Sequence, residues 1–177
     1  MRRMMLVALG TAVLAAAQAA GEDYAFMPKG GRALLVELLG GAGDAAELAK
    51  VAQARRSEAQ WREFAGVRGK ALTERERATL AAYLAVYMPL PEASRARLPA
   101  ALPPDGRDLA WNQCQSCHSL FTSHLMQDRD AQAWRNMFQS PFHRGIKMSA
   151  QEREEFARYS ALNMPMKAED VPAELRF

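Results

Sequence analysis

Two stretches of the chain carry the same alternation of polar starts and apolar faces. Thr73-x-x-Glu76 and Ser149-x-x-Glu152 are capping boxes, whose side chains satisfy the first free backbone N–H groups of a helix. Behind the first, Leu80, Tyr83, Leu84 and Tyr87 recur at helical spacing, and behind the second Phe156, Tyr159 and Ser160 do the same. Met88-Pro89 and Met164-Pro165 close both helices, because a residue before proline is pushed out of helical geometry. Further helices are predicted over 31–39, 45–56, 57–65, 106–115 and 130–138, and strand signals are nearly absent. The pattern predicts an all-α fold.

The likeness between the two stretches extends to identity. Gly69–Pro89 superposes without gaps on Gly145–Pro165 with eight identities in 21 positions, among them Arg77/Arg153, Tyr83/Tyr159 and Met88/Met164. Upstream, Arg56/Arg129, Trp61/Trp134 and Arg62/Arg135 pair, with three extra residues between Trp134 and Gly145. Gly31-Arg32-Ala33-Leu34 resembles Gly106-Arg107-Asp108-Leu109. Two pseudo-repeated modules are therefore expected, over 20–88 and 106–166. A linker over 89–105, punctuated by five prolines, joins them, and a polar tail occupies 167–177.

Residues 1–19 have the pattern of a secretory signal peptide. Arg2 and Arg3 precede an apolar run from Met4 to Ala17, and Ala17-Gln18-Ala19 offers a small-residue cleavage site. Export to the periplasm is the expectation. The formal charge of +3 belongs mostly to this leader, since removing Arg2 and Arg3 leaves 21 basic against 20 acidic residues. Nothing in that balance favours nucleic acid as a partner.

Against this background one five-residue stretch carries chemistry. Cys114-Gln115-Ser116-Cys117-His118 holds the only two cysteines of the chain and one of its three histidines. The spacing matches covalent attachment of one haem c, with a thioether to each cysteine and His118 as an iron ligand. A thioredoxin-type redox pair is expected at the end of a strand, and no β-rich run precedes Trp111. A zinc site would have only His124 and His143 left as nitrogen donors, and a disulfide would close too short a loop to stabilise much. No cysteine or histidine precedes Cys114, where the first module offers only Leu39-Gly40-Gly41-Ala42-Gly43-Asp44-Ala45, so that module is expected to hold no haem.

With these residues, the second half resembles the small, Met-ligated class of c-type cytochromes. It has a short helix into the Cys114–His118 motif, a middle helix with Trp134, a loop, and a last helix ending near Tyr159. More closely it resembles the cytochrome modules that accept electrons from periplasmic dehydrogenases. The resemblance implies a cytochrome c-like fold, haem c as cofactor, redox proteins as electron donor and acceptor, and possible association with a dehydrogenase or membrane respiratory complex. It also implies a distal iron ligand in the loop before the last helix, where Met148 stands; its counterpart in the other module is Leu72. His143, within the three-residue expansion, is the main alternative, followed by Met164, Met137, Met126 and His124. An enzyme with an open distal position, or a haem subunit of a larger assembly, stands beside the simple carrier. Trp111 is expected along the haem edge or against the last helix.

Overall fold

A computed structural model describes residues 24–40 and 44–177, and among them the chain is helical without strands. Residues 1–19, where a leader is expected, and part of the Leu39–Ala45 stretch lie outside the described residues. The first half comprises α1 (Gly31–Leu39), α2 (Ala45–Gln53), α3 (Glu58–Arg68) and α4 (Glu74–Tyr87), with a short α5 (Glu92–Arg95) after it. The second comprises α6 (Gly106–Cys114), a π-helical turn (Phe121–Leu125), α7 (Ala131–Met137) and α8 (Ala150–Asn163), before two 3₁₀ turns in the tail. No described helix is long and apolar enough to cross a membrane.

Local chemistry accounts for the helix boundaries. Both expected capping boxes form, Thr73 with Glu76 and Ser149 with Glu152, and further ones form at Ser57 with Gln60 and Asp105 with Asp108. The Ser57 box starts α3 anew after extended backbone at Ala54, which is why α2 stops at Gln53 rather than reaching residue 56. Helix α3 then runs three residues beyond its expected end, to Arg68.

The same packing recurs in each half. Helices α1 and α3 lie on α4, α6 and α7 lie on α8, and α4 packs on α8 between the two apolar cores. Where α1 crosses α4, a Cβ on Gly31 would fall 2.1 Å from the Tyr83 Cβ; where α6 crosses α8, one on Gly106 would fall 2.1 Å from the Tyr159 Cβ. Only glycine permits crossings this close. Trp61 and Trp134 are both fully buried, with Arg56 stacked over one ring at 4.8 Å and Arg129 over the other at 5.1 Å.

The halves also exchange their entry segments. Tyr83 donates its hydroxyl to the Pro103 carbonyl ahead of α6 (2.9 Å), and Tyr159 donates to the Pro28 carbonyl ahead of α1 (2.7 Å). Tyr24 and Met27, although they precede α1, are buried in the second core, while Leu90 and Leu102 of the proline-rich linker are buried in the first. Between the entry segments sits the Asp105 carboxylate. Its Oδ1 accepts from Arg107 N and Asp108 N at the start of α6, and its Oδ2 from Arg32 N and Ala33 N at the start of α1, all at 3.1–3.2 Å. One side chain thus caps two helices. The tail is less polar in effect than its composition suggests, since Val171 is buried in the second core and Leu175 packs against it.

Candidate functional site

Helix α6 delivers the Cys114–His118 motif. Its buried face, Leu109 and Ala110, packs toward α8, and the helix ends on Cys114. Cys114 is half-buried, whereas Cys117 and His118 are exposed, and both thiols are unbridged. Burial, with Cys117 nearby, pushes the Cys114 thiol up to about 12. A nucleophilic redox cysteine requires the opposite shift, so the thioredoxin-type reading gains nothing from this environment.

Cys114, Cys117 and His118 open onto a cavity of about 520 Å³, within the size range of an organic cofactor site. Gln113 and Ser123 also line it; its remaining walls are Trp134, Met137, Phe142, Ile146 and Phe156, together with His124 and His143. Both cysteines and all three histidines of the chain therefore meet around one mainly apolar space. Phe142 is 90% exposed at this site, a large apolar side chain without cover.

The three histidines are held differently. His124 comes from the π-helical turn and is buried against Trp134 and Phe156. Ser160 Oγ donates to Phe156 O at 2.7 Å, so it accepts from His124 Nε2–H at 2.8 Å, and Nδ1 is left without a partner. Burial pulls this imidazole down to about 3, which keeps it neutral. His143 lies in the turn between α7 and α8, half-buried, with Nδ1 2.9 Å from Ser140 Oγ. Its ring centroid is 6.1 Å from that of His118, the planes crossing at 73°.

The methionines separate as clearly. Met137 lines the cavity from α7. Met148 and Met164 are 7% exposed and belong to the second core, and neither is among the residues lining the cavity. Met126 is packed partly buried against the same core, also off the cavity. Met88, at the equivalent helix end in the first half, is buried in the first core as Met164 is in the second. Trp111 packs against the second core and lies on Tyr24 at 5.4 Å and edge-on to Phe26 at 6.2 Å, since the entry segment before α1 crosses over to this half.

Two features of the site escape sequence reasoning. The His124–Ser160 bond had one signal, a serine at a buried helical position where the first half has Leu84, since a polar group there requires a partner. The Ser140–His143 bond had none beyond the extra length of the loop. No protein family, curated protein or solved structure matches this chain.

The donor set suits a covalently held haem. Two thiols at Cys-x-x-Cys spacing border an apolar cavity, a histidine adjoins them, and flat aromatic and aliphatic walls complete the space.

Proposed function

We propose that this chain is an exported monohaem c-type cytochrome that carries single electrons between redox proteins. In this reading Cys114 Sγ and Cys117 Sγ hold the haem through thioethers and His118 ligates its iron. Residues 20–88 and 106–166 descend from one cytochrome-like module, of which only the second kept the cofactor. The observation that carries the reading is the convergence of both cysteines and every histidine on a single apolar cavity. Recurrence of the Gly31–Tyr83 and Gly106–Tyr159 crossings, and of arginine over buried tryptophan, supports the duplication.

The bound group supplies reversible one-electron exchange, and the protein tunes it by ligation, burial and hydrogen bonding. This chain's residues have correspondingly little chemistry to do. Trp134, Phe156, Met137 and Ile146 exclude water from the cavity, and neutral His124 adds no charge to its wall. Cys117 and His118 are exposed, which leaves one edge of the site open to a donor or acceptor protein, including a dehydrogenase or respiratory complex.

The test is expression with a signal peptide in a host competent for haem c maturation. The expected product is red and carries one haem through denaturation, with the leader removed. Replacing Cys114 and Cys117 together by alanine is expected to abolish attachment. A colourless mature protein with the mass of the bare chain would overturn the proposal.

A further inference from the structure

We infer that His143, and not a methionine, is the second axial ligand, so that the iron is held between two imidazoles. The inference rests on the haem reading above and goes beyond it in naming the ligand and hence the redox range. Two imidazoles bound to one metal from opposite sides stand roughly 6 Å apart between ring centroids, from two metal–nitrogen bonds of about 2 Å and half of each ring. His118 and His143 are 6.1 Å apart and both line the cavity.

His143 is also oriented as a ligand. Its Nδ1 lies against Ser140 Oγ (2.9 Å), and the same hydroxyl receives its backbone N–H (3.4 Å). With the proton on Nδ1, Nε2 presents a lone pair, and a hydrogen bond to the far ring nitrogen is how metal-bound histidines are aligned. The turn is anchored from behind. Arg153 donates through Nη2 to Arg144 O (2.9 Å) and Ile146 O (3.1 Å), and through Nε to Met148 O (3.2 Å).

The other candidates are less well placed. Met148, Met164 and Met126 do not line the cavity. His124 lines it with Nδ1 free, but its ring is packed on Trp134 at 5.1 Å and Phe156 at 5.2 Å, whereas the ring that faces His118 at 6.1 Å is that of His143. Met137 lines it from the last position of α7 and is packed against the second core. The haem-free half offers a consistent contrast. There the loop after the buried tryptophan is three residues shorter, and it contains no histidine.

The experiment uses full-length matured protein. Attached haem and mass report on the haem reading, while the axial signature reports on this inference. Wild type is expected to be low-spin without the weak far-red sulfur-to-iron band, and to have the lower midpoint potential of bis-imidazole ligation. His143→Met should create that band and raise the potential; His143→Ala should give a high-spin or carbon monoxide-binding iron. Met148→Leu, which installs the residue of the other half, should leave the spectrum unchanged. A far-red band in the wild type that disappears in Met148→Leu or Met137→Leu, with haem still attached, would overturn the inference alone. Wild type without attached haem would overturn both.

Discussion

A side chain at Gly30 and the carboxylate of Asp105 compete for one space. A Cβ on Gly30 would lie 2.1 Å from Asp105 Cγ and 2.2 Å from Oδ1. Gly30 precedes α1 as Asp105 precedes α6, so the two meet where the entry segments pass each other. A single acidic residue there serves both helix starts, and its opposite number must have no side chain.

Gly30→Ala is therefore expected to destabilise by about 1–3 kcal/mol, the usual cost of forced overpacking, since the atoms it meets are fixed by four backbone N–H bonds. Asp105→Asn should cost about 1 kcal/mol, because the amide accepts for one helix while turning donors toward the other. Thermal melting checks both, each kcal/mol lowering the midpoint by about 3 °C at this size. Lys29→Ala next door removes only an exposed ion pair and should change it little.

Stability should fall between about pH 6.5 and 8. Burial, reinforced by Asp105, pushes the Glu155 carboxyl up to about 8. Its Oε1 accepts from Gly106 N, and its Oε2 has no partner. The folded protein keeps this proton while the unfolded chain has lost it, so stability declines as pH climbs toward 8. Neutral His124 acts in the opposite sense, but only from about pH 3 up to the ordinary histidine range near 6.5. Above that range the Glu155 slope is unopposed by His124, at about 1 kcal/mol per pH unit or less. Melting curves at several pH values should show it in wild type and lose it in Glu155→Gln; an unchanged slope would assign it elsewhere.

The two thiols of the unmodified chain should differ in reactivity. Cys117 is exposed, while Cys114 is half-buried and held as a thiol. Brief alkylation of the unmodified protein at mildly alkaline pH is expected to label Cys117 about tenfold faster or more, as read by peptide mass. Denaturant should abolish the difference. Equal native rates would mean that α6 does not shelter its last residue.

Arg153 gathers carbonyls from three residues of the turn that holds His143, as Arg77 gathers those of Gly69 and Lys70 in the first half. Arg153→Ala is expected to accelerate amide hydrogen exchange over 143–148 severalfold, with α4 and α1 unaffected. Loss of protection throughout the protein would show instead that this arginine supports the core, where it also stacks on Phe138 at 5.1 Å.

Legibility in the sequence tracks the range of the interactions. Thr73 with Glu76, and Ser149 with Glu152, act within one turn, and proline terminates each of the two helices they start; those helices were readable locally. Cys114, Cys117 and His118 could be singled out as rare residue types at fixed spacing, and the fold brings all three to one cavity. Asp105 reads only as the cap of its own helix, since its second duty depends on α1 arriving from 72 residues away. Leu90, Leu102 and Val171 look like linker and tail residues until the cores that bury them exist. Met148 stands at the loop position before the last helix, and the sequence does not show that its side chain is buried in the second core while His143 lines the cavity.

The crossed tyrosine bonds have a consequence for cutting the polypeptide. Because Tyr83 grips the lead-in of the later half and Tyr159 that of the earlier, a break within 91–99 severs the covalent path but none of these grips. The two pieces should stay associated after proteolysis and separate only under denaturant. Neither is expected to fold cleanly when made without the other.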